Sequence, residues 1–241
     1  MFKAVKKIIK KFPPIGKIVK TFDNQAARDE FVITELKKIP AGKILLDAGC
    51  GSQRYRKYCG HLIYKTQDFG QFKVDKTPSL TAIKDEYIYG EIDYKGNIWD
   101  IDENNEVFDV ILCTEVFEHI AYPIETIKEF SRVLKKGGKL ILTAPFNCMR
   151  HMDPYYFYSG FSNRWYEEVL PKNGFKIDKI NADGDYYSWM RAEVGRSIVL
   201  GNFFESMVLF PSFVYFSFKN KTPESMATMC GGYHVVATKS E

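Results

Sequence analysis

The chain switches repeatedly between short apolar runs of strand length and longer stretches with helical spacing. No other feature constrains its fold as much. The apolar runs are Lys43 to Asp47 (KILLD), His61 to Asp68, Ile92 to Ile98, Phe108 to Cys113 (FDVILC) and Lys139 to Ala144 (KLILTA). Runs of this length without polar alternation have the form of strands buried on both faces. Between them, Pro123 to Leu134 carries one helical stripe of Ile124, Ile127, Phe130, Val133 and Leu134, closed by Lys135-Lys136-Gly137-Gly138. Residues 25–39 read as another helix, marked by Phe31, Val32, Glu35, Leu36 and Ile39 and broken by Pro40-Ala41-Gly42. Strands alternating with helices build βαβ units and a mainly parallel sheet with right-handed crossovers. The fold class expected is α/β.

At 241 residues with 45% hydrophobic and 15% aromatic side chains, the chain can bury a large core, which excludes a disordered polymer. Ser206 to Phe218 is its most membrane-like stretch, yet it holds 13 residues and a proline, against roughly 20 needed to span. Five cysteines without a CxxC pair point to reduced thiols and a cytoplasmic location. The net charge of +4 conceals an asymmetry: residues 1–20 hold seven lysines and no acid (+7), so the rest of the chain carries −3. A slightly acidic body is not a phosphate-tracking surface, so nucleic acid is not expected as a partner. Residues 1–22 form a basic amphipathic segment, with Phe2, Val5, Ile8, Ile9 and Phe12 at helical spacing until Pro13-Pro14. So short a helix needs a surface to lie on: an anionic membrane, a partner protein or its own domain.

The first strand runs directly into Asp47-Ala48-Gly49-Cys50-Gly51-Ser52, and the second ends in Asp68, 21 residues after Asp47. In open parallel sheets, ligands sit outside the carboxyl ends of the strands. Glycines at 49 and 51 permit a tight turn and close ligand approach, and an acid at the end of the second strand can accept both hydroxyls of a ribose. A dinucleotide site wants a third glycine near position 54 to cradle pyrophosphate, but Ser52-Gln53-Arg54 stands there. Asp47 would repel phosphate and could hold an ammonium group. A nucleoside with an amino-acid tail fits better.

These residues resemble the first motif of the class I S-adenosylmethionine (SAM) dependent methyltransferases, type 11-like, in Ile44-Leu45-Leu46-Asp47-Ala48-Gly49-Cys50-Gly51. Gly96-Asn97-Ile98 is similar to the adenine motif of that family, and Phe108 to Ile120 to its fourth strand and following helix. Leu134-Lys135-Lys136-Gly137-Gly138 is similar to the turn before its fifth strand. The resemblance implies a Rossmann-like seven-stranded sheet with an antiparallel last strand and helices on both faces. It also implies SAM as cofactor. Asp47, Gly49, Cys50 and Gly51 would line the methionine part, Asp68 the ribose, Asn97 and Ile98 the adenine, and Thr114 the methionine moiety. Asn97 stands where an aspartate is usual, and its carbonyl oxygen can still accept from adenine; Asp100 is the alternative acceptor.

A hydroxyl acceptor needs a general base or a metal ion to become a methyl acceptor at neutral pH. The candidates are Glu118 and His119, with Glu115 on the same face if the segment is helical, and His151 beyond the fifth strand. A divalent metal is possible here, as in some RNA and quinone-precursor methyltransferases with a similar segment, but is not favoured over His119 acting as base alone. Seven aromatics crowd residues 155–166, and Tyr155, Tyr156 and Tyr158 are the candidate acceptor-binding residues. This block resembles methyltransferases encoded among bacterial surface-polysaccharide genes, which implies a glycan acceptor; another small molecule, such as a quinone precursor, or a non-catalytic SAM-binding role is the alternative. Residues 172–177 resemble the sixth strand region and residues 232–239 the seventh. The methyltransferase domain would then comprise 23–183 and 232–241, and the intervening 184–231 an inserted aromatic-rich helical cap.

Overall fold

The computed structural model describes residues 24–74 and 88–240. The basic segment at 1–22 lies outside the described residues. Among the described residues two compact units are present: residues 31–74 and 88–182 with 232–240, and residues 183–231 with 24–30.

The first unit is a sheet of seven strands in the order β3-β2-β1-β4-β5-β7-β6. In chain order these are β1 (Ile44–Ala48), β2 (Ile63–Asp68), β3 (Tyr94–Lys95), β4 (Phe108–Thr114), β5 (Leu134–Pro145), β6 (Phe175–Asp183) and β7 (Gly232–Lys239). Strands β3, β2, β1, β4 and β5 run parallel, whereas β7 pairs antiparallel with β5. Successive residues of a strand face opposite sides, and the two faces carry separate cores. Leu46, Ile111, Leu140 and Leu142 belong to one core, with Phe117, Phe130 and Tyr166. Leu45, Val110, Leu112 and Ile141 belong to the other, beneath Phe31, Val32 and Leu36 of α1 (Asn24–Leu36). The first face is covered by α2 (Pro123–Val133) and α3 (Asn163–Lys172). Phe117 and Phe130 are completely buried, each worth about 1.5–3 kcal/mol relative to exposure.

Two elements depart from the sequence expectation. The strand expected over 92–98 reduces to Tyr94–Lys95, because Asp93 spends its carboxylate on the Thr66 amide (3.0 Å) and on Lys65 (2.9 Å) at the sheet edge. The glycine pair at 137–138 does not cap α2. The helix ends at Val133, β5 starts at once, and residues 135–138 form a bulge between the pairings Phe108↔Leu134 and Val110↔Lys139. Gly137 has a left-handed φ of 70° inside that bulge.

The second unit is helical: α4 (Tyr186–Leu200), α5 (Phe203–Ser217) and α6 (Pro223–Thr228). Each helix opens with a capping box, on Asp185, Asn202 and Thr222 respectively.

Candidate active site

The strand order reverses between β1 and β4, so the carboxyl ends of β1, β2, β4 and β5 converge on one edge. Four sequence motifs arrive there together. The glycine loop leaves β1, Asp68-Phe69-Gly70 leaves β2, Thr114 to His119 leaves β4, and Cys148 to Tyr158 follows β5.

The glycine loop is held mainly by β2. Gly49 N and Cys50 N both donate to the Gln67 carbonyl, at 2.8 and 3.0 Å. The Asp68 carboxylate accepts from Gly51 N through one oxygen and from Gly70 N through the other, both at 2.9 Å. Asp68 is therefore a tie between β2 and the loop as well as an acid at the expected ribose position. Burial raises its pKa against those hydrogen bonds. Gly49 has φ 71°, and a Cβ there would come within 2.4 Å of Val116, so only glycine fits. Gln53 continues the loop with a left-handed φ of 56° and donates its amide to the Glu91 carbonyl.

Asp47 already has a protein partner. It is buried, and the Tyr64 hydroxyl donates to it in a short hydrogen bond. Burial pushes its pKa up to about 7 against the lowering effect of Tyr64, and the charge of Asp68 adds to the rise. Cys50 is also buried. Asn97 is exposed, whereas Ile98 is buried in the core that holds Leu46 and Phe117. Thr114 closes β4 opposite Thr143.

The segment after β4 is not a helix with Glu115, Glu118 and His119 on one face. Glu115 takes a left-handed φ of 52° and turns to β5, where the Thr143 hydroxyl donates to its carboxylate at 2.9 Å. A short 3-10 turn at Phe117–His119 then directs Glu118 and His119 toward His151 instead. Ligand-capable atoms of Glu118, His119 and His151 all lie within 4.8 Å of one another, and the two imidazole rings meet edge to face at 4.7 Å.

The tautomers follow from the neighbours. His119 Nδ1 is 2.6 Å from the Tyr155 carbonyl, and His151 Nδ1 is 2.8 Å from the Met149 carbonyl. A carbonyl can only accept, so each Nδ1 carries the proton and a neutral ring keeps its lone pair on Nε2. Burial, with a smaller repulsion from His151, lowers the His119 pKa to about 4. His119 is thus neutral near pH 7, and its 3.6 Å approach to Glu118 Oε1 is not an ion pair. Two Nε2 atoms and a carboxylate form a donor set that also suits a divalent cation.

The aromatic block is pinned to this turn by backbone bonds. Phe157 N and Tyr158 N both donate to the Glu118 carbonyl, at 2.9 and 3.2 Å. Tyr156 donates its hydroxyl to the Cys148 carbonyl (2.7 Å) and Tyr158 to that of Ala121 (3.3 Å). Tyr155 packs edge-on against Phe69 at 4.7 Å, beside Asp68. Sequence reasoning brought the block to the cofactor edge but missed Phe69, Tyr64 and Gln53. An aromatic directly after the acid that ends β2 was the available signal for Phe69; Tyr64 and Gln53 acquire partners only once the chain is folded.

Residues 46–142 match the protein family described as "Methyltransferase domain". Over these residues the chain is similar to class I SAM-dependent methyltransferases, and it has their fold. A protein of Methanocaldococcus jannaschii described as uncharacterized is 31% identical over 54% of this chain and 54% of its own length. A ubiquinone biosynthesis O-methyltransferase of Aliivibrio fischeri is 27% identical over 42% of this chain and 44% of its own. The chain thus spans about half the length of the curated relatives it matches. A solved structure from Bacillus halodurans, provisionally assigned as a methyltransferase, shares the fold with a TM-score of 0.51 at 14% identity, over 87% of this chain and 99% of that one. Among the described residues, no helix is long and apolar enough to cross a membrane.

Proposed function

We propose that the chain is a SAM-dependent O-methyltransferase whose acceptor is a hydroxyl of a sugar or polysaccharide precursor. The observation that carries the oxygen acceptor is the buried, neutral His119, with its Nδ1 proton committed to a backbone carbonyl and its Nε2 lone pair beside Glu118. In this reading the glycine loop and Asp47 hold the methionine part, Asp68 the ribose, and Asn97 with Ile98 the adenine. The acceptor oxygen attacks the methyl carbon, the carbon–sulfur bonding pair passes to sulfur, and the hydroxyl proton goes to Nε2. A base with so low a pKa is weak by itself. Such a base takes up the proton as the acceptor oxygen, on bonding to the methyl carbon, becomes strongly acidic. Phe157 and Tyr158 are exposed beside this turn and offer apolar faces with a polar tip, a surface suited to sugar rings.

Two specific observations favour other versions. The donor set of Glu118, His119 and His151 would hold a divalent cation, which as a Lewis acid would lower the pKa of an acceptor hydroxyl. The name of the Aliivibrio relative, a ubiquinone biosynthesis O-methyltransferase, supports a quinone-precursor acceptor. Calorimetry with SAM, then release of its demethylated product with nucleotide-sugar and catechol acceptors, tests the reading. Turnover of the sugar acceptor alone supports it, and turnover of the catechol alone replaces the acceptor class. SAM binding with no turnover of either overturns the assignment of catalysis. Activity lost on chelation and restored by a divalent ion selects the metal version.

A further inference from the structure

The helical unit exposes more apolar surface than a helix pair needs to hold itself together. Helices α4 and α5 form a hairpin: Ser206 Oγ donates to the Ile198 carbonyl at 3.0 Å near the tip, and Lys219 lies over the Tyr187 ring at the base. Phe213 is the buried side chain of α5. The opposite side carries Phe203, Phe204, Met207, Val208 and Phe210, followed by Phe218, and all are exposed, up to 82% for Phe218. At about 100° per residue these six side chains sweep an arc of roughly 160°. No charge interrupts the arc, because the charged residue of α5, Glu205, lies off it and closes the capping box on Asn202 N. A contiguous apolar face of this kind marks an interaction surface.

What lies beside the arc indicates its occupant. At the base of the hairpin the Lys219 ammonium sits 4.6 Å from the Tyr215 ring centroid and 5.6 Å from that of Tyr187, with exposed Lys221 two residues on. Tyrosines and lysines bordering an apolar face are the side chains that sit at a headgroup boundary, rings in the apolar layer and ammonium groups in water. The seven lysines among residues 1–20 add positive charge to the same chain, which complements an anionic surface. The arc itself offers nothing polar to set the register of a protein partner. With 15 residues, α5 is about 22 Å long, too short to span and suited to lying in the interface. We propose that the α4–α5 hairpin docks on an anionic lipid surface, with the phenylalanine arc among the acyl chains and Lys219 and Lys221 at the headgroups.

Flotation of the full chain with phosphatidylcholine–phosphatidylglycerol vesicles tests this independently of any methyl transfer. The wild type should float with these vesicles and far less with phosphatidylcholine alone. The triple variant Phe203→Ser, Phe204→Ser and Val208→Ser should lower partitioning by at least about tenfold. Lys219→Glu with Lys221→Glu should weaken the preference for the anionic lipid. Both variants should keep the wild-type circular dichroism spectrum and SAM affinity, since none of these residues belongs to the sheet unit. Absence of flotation by the wild type overturns the proposal, as does undiminished flotation of the triple variant. A dimer in sedimentation that the triple variant dissociates, without vesicle binding, identifies the arc as a contact between two copies. Loss of all binding when only residues 1–13 are deleted assigns the anchor to the basic segment and not to the hairpin.

Discussion

The glycine loop is positioned by the strand beside it, whereas the Glu118–His119–His151 cluster is positioned by a segment some 30 residues further along the chain. In the loop, β2 supplies every anchor described above but one: the Gln67 carbonyl and the two oxygens of Asp68 hold Gly49, Cys50, Gly51 and Gly70. In the cluster, His119 is oriented by the Tyr155 carbonyl and His151 by that of Met149, while the Glu118 carbonyl holds Phe157 and Tyr158. The first arrangement is nearly rigid once two adjacent strands pair. The second depends on how the chain returns after β5. Strand pairing alone therefore sets the glycine loop, whereas the cluster also needs the return of the chain after β5.

The largest expected effect would break this division. His119→Ala should lower kcat roughly 10²–10⁴-fold while SAM affinity stays nearly constant; near-normal turnover would remove His119 from the chemistry. On the other side, Asp68→Ala should weaken SAM binding by about 1.5–3 kcal/mol, read by calorimetry. Asp68→Asn, which keeps one carbonyl acceptor for a loop amide, should lose less. Unchanged affinity in a folded Asp68→Ala protein would leave Asp68 as a structural tie alone.

Smaller effects sharpen the contrast. Tyr158→Ala should raise the acceptor KM by roughly tenfold and leave SAM affinity within about twofold. Tyr156→Phe, which releases the Cys148 carbonyl but keeps the ring, separates positioning from stacking. Equal damage to both ligands would mean that the block supports the fold and not the acceptor.

A separate effect is on stability against pH. His119 is held near pKa 4 in the fold against an ordinary 6.5, so the unfolded chain takes up its proton first, and this contribution is lost as pH falls from about 6.5 toward 4. Asp47 acts oppositely: held near 7 against 3.8, it contributes stability at low pH that is lost as pH rises to about 7. Urea midpoints for wild type and His119→Gln should therefore converge as pH falls through that window. A constant separation would mean that His119 is protonated as readily in the fold as out of it.

The cofactor half was legible because its determinants are local. A glycine pair after an apolar run and an acid at the end of the next run are both readable from spacing; the alternation implies a mainly parallel sheet, whereas the antiparallel last strand was implied only by the family resemblance. Glu115 shows where such reading stops. Its spacing to Glu118 and His119 suits a helix, but the left-handed turn at 115 and a hydroxyl on β5 capture it. No linear pattern announces Thr143 as its partner. Asp47 is similar: its position was legible, but its burial under Tyr64 arises from the side-by-side packing of β1 and β2.

Glu118 contributes two separable things. Its side chain stands among the candidate catalytic groups, and its main-chain oxygen holds the amides of Phe157 and Tyr158. Replacement of the carboxylate leaves that oxygen in place, so the chemistry of the cluster and the placement of the aromatic block can diverge independently at one position. A descendant could exchange the carboxylate for an amide or a hydroxyl and still present the same aromatic surface.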